Sequence, residues 1–511
     1  MMNPERPPQM TPPLPRESLG GCIIVLVFIV SRLIFIFNGG AFVAKSLAFA
    51  MQYLDPLLLK SDLLKSLFYL HSQPPFFNLF LGIVLKLSSI PSLSYELLFN
   101  TAGALICLNC YGILMCLGIN RLLGLFITIV FMLNPTLILY EHLLYYSYFE
   151  VLFVSLSLFF LIRWCRGKKF PDVLLFWTSL LCLGMIRSVF HPLFILATSV
   201  SLTSYLWFWI KEKHCAKTLF LSSLLVLTPL SVLCLKNTLV FGFFGTSSWE
   251  GMNLWTKVNG FAPEQLEELR DKGIISSLAV KAELRTFQQP IGNYFSESEL
   301  KNIPCHHPAD CNQFKSSGYP NFNHSGYAYL SRQLLKDSLA LITLDPSQFV
   351  FYTLGSYSLT LWHSSDSVHA LFENNMEVVK KLEKIYRFLY FGFFGVESKL
   401  DERMWGRTII ITILFMIVYI STIINVLRKD DRGLTGIKLF CLFCLIIHAY
   451  TLTVSSVIEF GENNRFRFPV DMAFLAMTAG NIVMWVRLWG KRLITEQSKK
   501  SNSFRASWPL F

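Results

Sequence analysis

Five short groups of residues contain most of the side chains that could do chemistry, and each group lies near the end of an apolar segment. Ionisable side chains at membrane depth are costly, so they usually face a cavity, a ligand or an opposite charge. Carboxylates and imidazoles suit proton transfer, and guanidinium groups suit phosphate oxygens. The candidate residues are Asp55; His71 and Gln73; Glu141 and His142; Arg187 and His191; and Glu462, Arg465 and Arg467.

The first two groups share one hydrophilic stretch. Asp55 stands before a proline, where its carboxylate could accept a proton from a hydroxyl nucleophile or could cap a helix. His71 and Gln73 stand before two prolines that fix the start of the next helix. These two side chains could bind a phosphate at the rim of the bilayer, and the alternative is a rigid turn without a ligand.

The next two groups combine acidic, basic and imidazole side chains. Glu141 and His142 are neighbours, which suits acid–base work or ligand binding, and the alternative is an aromatic belt at the membrane interface. Arg187 lies on an apolar segment, where it needs an anion such as a lipid headgroup or a donor phosphate. His191 lies at the same segment end, and Lys236 lies where another apolar segment leaves the membrane.

The last group precedes the final apolar run. Arg465 and Arg467 alternate, so in an extended segment both would point to one side. Two guanidinium forks on one side could bind phosphate oxygens bidentately. The alternative is a salt-bridged cap on the last helix, in which Glu462 pairs with Arg465.

The elements that must position these groups are membrane helices. Of the 511 residues, 53% are hydrophobic and only 15% are charged, whereas about a quarter of a soluble domain is charged. Most of the apolar runs approach the ~20 residues that cross a bilayer. We therefore expect an all-α polytopic membrane protein with about 10–13 transmembrane helices and an extracytoplasmic loop domain.

The hydrophilic stretches divide the chain into five predicted parts. A proline-rich disordered tail in the cytoplasm comes first, and a transmembrane module with an outer loop at residues 39–75 follows. Within that loop, Leu57 to Leu70 has apolar residues at helical spacing, which predicts a helix in the membrane interface. The predicted parts are residues 1–18, 19–240, 241–405 (mainly extracytoplasmic), 406–490 (C-terminal helices) and 491–511 (a cytoplasmic tail).

The formal net charge of +12 is distributed in a way that argues against nucleic-acid binding. Residues 241–405 contain 15 Lys and Arg against 18 Asp and Glu, so the positive excess lies elsewhere, in short connectors. Short connectors rich in Lys and Arg remain in the cytoplasm. The charge is therefore an orientation signal, and it places all five candidate groups on the outer side.

Counting helices from the two ends of the chain gives conflicting orientations in one region. The segments 76–90, 97–117 and 122–133 cannot all cross the membrane if both termini are cytoplasmic. We expect one of the three to be a half-helix or to lie in the interface.

Ten of the twelve cysteines lie in apolar runs or beside basic connectors, where they act as small apolar residues. Cys305 and Cys311 fall in the outer stretch. Two nearby cysteines outside the cytoplasm favour a disulfide. Zinc is the weaker alternative, because the spacing fits no standard zinc motif.

Taken in chain order, these motifs resemble those of the C-type superfamily of lipid-linked glycosyltransferases. The similarity is greatest to the branch of the protein O-mannosyltransferases and the lipid A aminoarabinose transferase. The motifs that carry it are Asp55, His71-Ser72-Gln73-Pro74-Pro75-x-x-Asn78, Asn134-Pro135, Glu141-His142, Arg187 with His191-Pro192, Ser247-Ser248-Trp249 and Glu462-Asn463-x-Arg465-x-Arg467.

The resemblance implies that a sugar moves from a polyprenyl or dolichyl phosphate to a protein, lipid or glycan acceptor outside the cytoplasm, usually with inversion. Asp55 matches the family's loop carboxylate and would be the general base, with Glu141 second and Asp62 as a competitor. Positive charge for the leaving phosphate would come from His71, Arg187, Arg465 and Arg467. The other expected substrate-binding residues are Gln73, His142, His191, Lys236 and Glu462.

The chain departs from the family at the loop carboxylate. The family often has two adjacent acidic residues there, whereas Asp55 is followed by Pro56. We therefore expect transfer without a cofactor, and metal-independent transfer is favoured over transfer that uses a divalent metal.

Two other functions compete with the transferase. The outer charges could recognise lipid headgroups in a transporter or flippase, or the chain could be a non-catalytic scaffold. A bacterial inner membrane is favoured, and the endoplasmic reticulum would apply in a eukaryote. Asn323-His324-Ser325 is a glycosylation sequon that only a secretory pathway could use.

Overall fold

The computed structural model describes a protein built from helices. Its described residues form no strand, and only two isolated bridges occur among them. The described residues are 15–258, 260–282, 289–362, 364, 369–391, 403–429, 432–461 and 463–506.

The first half of the chain contains most of the membrane bundle. Its helices are α1 (Pro15–Phe37), α2 (Ser46–Phe49), α3 (Pro56–Ser61), α4 (Leu63–Phe68), α5 (Phe76–Leu87), α6 (Pro91–Leu117), α7 (Arg121–Met132), α8 (Pro135–Glu141), α9 (Ser147–Gly167), α10 (Phe170–Ile186), α11 (Pro192–Ser204) and α12 (Lys213–Phe241). A π-helical turn, Tyr205–Ile210, continues α11.

Short helices follow, and long ones close the chain. They are α13 (Glu250–Trp255), α14 (Pro263–Asp271), α15 (Ser277–Lys281), α16 (Glu297–Asn302), α17 (Pro308–Cys311), α18 (Ser325–Leu344), α19 (Pro346–Thr360), α20 (His369–Phe391), α21 (Arg403–Leu427), α22 (Thr435–Ile458), α23 (Asn463–Arg467) and α24 (Asp471–Ala506). Single 3-10 turns occur at Ile291–Asn293, Arg432–Leu434 and Phe468–Val470.

Seven helices in the described ranges are long and apolar enough to cross a bilayer, so the chain is an all-α polytopic membrane protein. The consecutive helices α7 and α8 would make an eighth span if they form one broken span. They are bent by 58° relative to each other. The break has a local cause: Asn134 caps α8 and Pro135 is its first residue. Three shorter apolar helices, α5, α10 and Ile411–Leu427, are also present. The total of about 10–13 spans stays a prediction.

The packing of α1 against α6 fixes their directions. Gly20, near the start of α1, packs against Tyr111, near the end of α6. Arg32, near the end of α1, pairs with Glu141, which packs against Gly103 in the first half of α6. The two helices are therefore antiparallel. We call the end of the bundle where α1 finishes the upper end; the charge pattern predicts that it faces away from the cytoplasm.

The short helix α5 is the segment whose geometry fits the predicted half-helix. It follows the loop that leaves the top of α1, and it is followed at once by α6, which starts at the upper end. Its 12 residues extend only about 18 Å, which is too short to cross a bilayer. The Tyr95 hydroxyl of α6 also donates to the carbonyl of Leu81 at 2.8 Å. Both ends of α5 therefore lie at the upper end, so α5 has the geometry of the predicted half-helix.

A second hydrophobic core, separate from the bundle, is formed by buried residues between Trp249 and Leu341. We call residues 249–345 the cap. We call residues 38–75 the upper loop. The side-chain amide of Asn323 joins the cap to this loop. Its oxygen accepts from the backbone of His71 at 2.9 Å and of Ser72 at 3.0 Å, and its nitrogen donates to the carbonyl of Tyr69. The cap and the loop of residues 38–75 therefore form one packed unit.

The predicted interfacial helix from Leu57 to Leu70 is divided in two. The helices α3 and α4 meet at Asp62, whose backbone is non-helical. Leu57 and Leu64 are both largely exposed, as an interfacial position requires. The apolar segment at residues 347–362, predicted to cross or to lie in the interface, forms α19, which is not among the span candidates.

Candidate functional site

Two buried arginines from distant parts of the chain meet at the upper end of the bundle. Arg187 donates to Glu150 at 3.0 Å and lies 3.7 Å from the ring centre of Phe466. Arg465 donates to the hydroxyl of Tyr145 and lies within 6.0 Å of the ring centre of Tyr146. We call Tyr145, Tyr146, Glu150, Arg187, Arg465 and Phe466 the arginine cluster.

Local helix geometry explains why these side chains meet. Glu150 lies in the first turn of α9, where the helix dipole favours a carboxylate. Arg187 is the C-cap residue directly after α10, and its backbone is extended. Because α9 and α10 are antiparallel neighbours, the end of one lies beside the start of the other. Arg465 reaches the same place from α23, a single turn between α22 and α24.

The second arginine of the last motif points elsewhere. Arg467 donates to the carbonyl of Thr360 at 3.0 Å and to Asp471 at 3.0 Å. The expectation that Arg465 and Arg467 share one side is therefore wrong. The segment is helical rather than extended, and residues two apart on a helix face in different directions. Glu462 lies outside the described residues.

Asp55 is held by three hydrogen-bond donors. Its carboxylate accepts from the backbone of Leu57 at 2.9 Å, and from both the backbone and the hydroxyl of Ser316 at 2.6 Å. It therefore caps α3, as the alternative to catalysis predicted, while it also joins the upper loop to the cap. Next to Ser316, Lys315 donates to the carbonyl of Ala50 at 2.7 Å, and burial lowers the pKa of Lys315 to about 7.

The loop that carries Asp55 also packs against the arginine cluster. Tyr53 donates to the carbonyl of Leu144 at 3.0 Å, and its ring lies 6.4 Å from that of Tyr145. The side chain of Asn78, at the start of α5, bonds the backbone of Leu54 at 2.8 Å. The loop thus contacts the arginine cluster through Tyr53, two residues before Asp55.

His71 is fully buried between the loop and α12. Its Nδ1 lies 2.8 Å from the hydroxyl of Ser248, and its ring packs on Phe241. Burial, followed by the charge of Lys236, lowers the pKa of His71 to about 3. The imidazole is therefore neutral near pH 7 and does not supply the positive charge expected of it. Its Nε2 is buried without a hydrogen-bond partner, so it remains able to bond a ligand.

The remaining candidates at this end have structural contacts. Lys236 donates to the carbonyls of Phe68 and Leu70 at 3.1 and 2.8 Å, which ties α12 to the upper loop. His191 caps α11 through Leu193, and burial lowers its pKa. Gln73 is partly buried beside this region.

Glu141 and His142 do not form a solvent-facing acid–base pair. Glu141 is 1% exposed and accepts from Arg32 at 2.6 and 2.9 Å and from Tyr148 at 2.8 Å. The Nδ1 of His142 lies 2.9 Å from the carbonyl of Ile138. Glu141 is therefore committed to an ion pair with α1, and its role as second candidate base stays a prediction that this geometry does not favour.

Sequence reasoning missed Glu150, Arg32 and Ser316. A signal for the first two existed, because each is a lone charge within an apolar run and such a charge needs a partner. Ser316 carried no local signal, since its role depends on a contact with Asp55 across 261 residues.

The predicted disulfide between Cys305 and Cys311 is present. It closes a short loop in which the Asp310 carboxylate accepts from the backbone of His306 and His307, and His307 lies 3.2 Å from Asp62.

The glycosylation sequon at Asn323 is buried in the structure. Asn323 is 3% exposed and bonds four backbone groups, so it cannot accept a glycan in the folded protein.

Replacing both Cys305 and Cys311 with serine is expected to lower the free energy of unfolding by about 2 kcal/mol, because the disulfide restricts the unfolded chain. Chemical denaturation in detergent would measure this. Replacing the exposed Cys22 with serine is the matched control and should change nothing. Equal stability of the double variant and the wild type would contradict the expectation.

Among the described residues, no group of three His, Cys, Asp or Glu side chains is arranged to hold a metal ion. Metal dependence therefore stays a prediction.

No family model matches the chain, and no curated protein and no solved structure matches it.

Proposed function

We propose that the protein is a membrane glycosyltransferase that moves a sugar from a polyprenyl- or dolichyl-phosphate donor to an acceptor at the upper end of the bundle. The observation that carries the proposal is the convergence of Arg187 and Arg465 on one buried aromatic cluster. The two guanidinium groups outnumber the single carboxylate of Glu150. The cluster therefore suits a phosphate that arrives from the membrane.

The arginines would act on the leaving group. The donor is a phosphodiester that joins the lipid to the sugar. As the bond between the sugar C1 and the phosphate oxygen breaks, its phosphate becomes a lipid monoester and gains negative charge. Fixed cations in a site that excludes water stabilise such charge most strongly. Arg187 is held by Glu150 and Phe466, so it would change little in position during the reaction.

Asp55 would act on the acceptor. As the acceptor hydroxyl oxygen attacks C1, its proton would pass to the Asp55 carboxylate, and the lipid phosphate would leave from the opposite face of the sugar, which inverts C1. The three donors on Asp55 fix the direction of its oxygens. Contact between the Asp55 loop and the arginine cluster through Tyr53 supports a shared site.

Replacing Arg465 with glutamine is expected to reduce transfer by about 10²–10³-fold, by analogy with the loss of one donor to a developing anion. The test is transfer of radiolabelled sugar from polyprenyl-phosphate donors to a membrane extract by purified protein. Arg163→Gln is the matched control, because Arg163 is a partly exposed arginine at the opposite end of α9. Donor binding by wild type without release of sugar from any donor would favour the lipid transporter instead.

A further inference from the structure

A surface cavity of about 480 Å³ lies beside the N-terminal half of α19. Pockets for small ligands span about 300–1,000 Å³, so its size suits one or two sugar rings. Its lining residues are Gly260, Ser347, Gln348, Phe351 and Tyr352.

The lining is uncharged and combines hydrogen-bonding groups with aromatic rings. The Gln348 Oε1 is buried without a hydrogen-bond partner, which is costly unless a ligand supplies a donor. Phe351 is 68% exposed, so its ring face is open to a ligand. A neutral molecule with several hydroxyl groups and an apolar face, such as a pyranose, satisfies both groups, whereas an anion or a cation finds no opposite charge here.

Gly260 keeps the cavity open. A Cβ at this position would lie 2.8 Å from the Tyr352 hydroxyl and 3.0 Å from the Gln348 Oε1. Any side chain there would occupy the space between the two polar groups.

The cavity is connected to the arginine cluster through one segment of chain. The Tyr352 ring meets the ring of Phe460 at 5.3 Å, edge to face, and Arg465 follows five residues later. Buried Lys257 fixes this connection, because it donates to the Ser356 hydroxyl and to the carbonyl of Ser456 at 2.7 Å. The helix that lines the cavity therefore packs against the chain segment that leads to Arg465 of the proposed donor site.

We propose that this cavity binds a neutral sugar residue of a glycan acceptor. The inference rests on the proposed transferase function for its biological role, but saccharide binding can be measured without any donor. A sugar held on Phe351 and Gln348 would present the rest of the glycan along Phe460 toward the arginine cluster.

The experiment measures binding of three neutral trisaccharides, mannotriose, cellotriose and chitotriose, to the full chain in lipid nanodiscs by saturation-transfer NMR. Trigalacturonate is the charged comparison. We expect at least one neutral trisaccharide to bind, and Phe351→Ala and Gln348→Ala each to weaken that binding about tenfold, the effect of about 1.4 kcal/mol of aromatic or hydrogen-bond contact. Phe126→Ala is the matched control, because Phe126 is 65% exposed on α7 and lies outside the cavity.

The outcomes separate this site from the donor site. Binding of a neutral trisaccharide that depends on Phe351 and Gln348 supports the cavity even if no transfer is ever detected, in which case the transferase proposal alone fails. Absence of binding by all three neutral trisaccharides overturns the inference. Stronger binding of trigalacturonate overturns it as well. Crosslinking of a photoreactive residue at position 351 to lipid chains, unaffected by saccharide, would assign the cavity to lipid instead.

Discussion

Replacing Asp55 with asparagine is expected to reduce the rate of sugar transfer by about 10²–10⁴-fold, the range in which a positioned general base contributes. Asparagine keeps an oxygen that can accept from Leu57 and Ser316, but it cannot take a proton from the acceptor hydroxyl. The measurement is the initial rate of label transfer by Asp55→Asn and wild type at equal amounts of folded protein.

The Ser316→Ala variant separates catalysis from structure. It removes one hydrogen bond to Asp55 and keeps the carboxylate, so we expect a loss of transfer far smaller than that of Asp55→Asn. Equal losses in the two variants, with equal losses of stability, would mean that Asp55 serves only to join the upper loop to the cap.

The second large effect is on stability. Replacing Glu141 with alanine leaves Arg32 buried and charged beside the carbonyl of Met132, without its carboxylate partner. Breaking one side of a buried ion pair costs about 3–5 kcal/mol. We expect Glu141→Ala to lower the free energy of unfolding by about that amount, measured by denaturation in detergent.

The double variant Arg32→Met with Glu141→Leu tests the cause. Because both charges are removed and the volume is roughly kept, most of the lost stability should return. A stable double variant that still transfers sugar would confine Glu141 to a structural role. A stable double variant without transfer would instead restore Glu141 as a catalytic candidate.

The fold class followed from composition, because long apolar runs in a chain with few charges can satisfy their backbone only as helices in a bilayer. The parity argument required one of three segments not to cross, and the short helix α5 fits that requirement. It could not choose α5, because that choice depends on the direction of α6, which is set by the packing of Tyr111 on Gly20 and of Gly103 on Phe28.

The candidate site was predictable in its residue types and only partly in its pairings. Arg187 needed an anion, and the structure shows that this anion is Glu150. Glu150 also lies in an apolar run, where a lone charge needs a partner. Arg467 and Arg465 were assigned to one side because an extended backbone was assumed, whereas both lie in the short helix α23, where residues two apart face different directions. The distant partners are Ser316 for Asp55 and Ser248 and Asn323 for His71, and contacts over such sequence distances leave no local pattern.

The contact between Asp55 and Ser316 also fixes when the site can form during synthesis. The two residues are 261 positions apart, and chains grow at about 5–20 residues per second. The upper loop therefore waits roughly 13–50 seconds for its partner at those rates, and it spends that interval without the cap. A chain that stops before residue 316 has already inserted its first helices but cannot assemble the surroundings of its own candidate base.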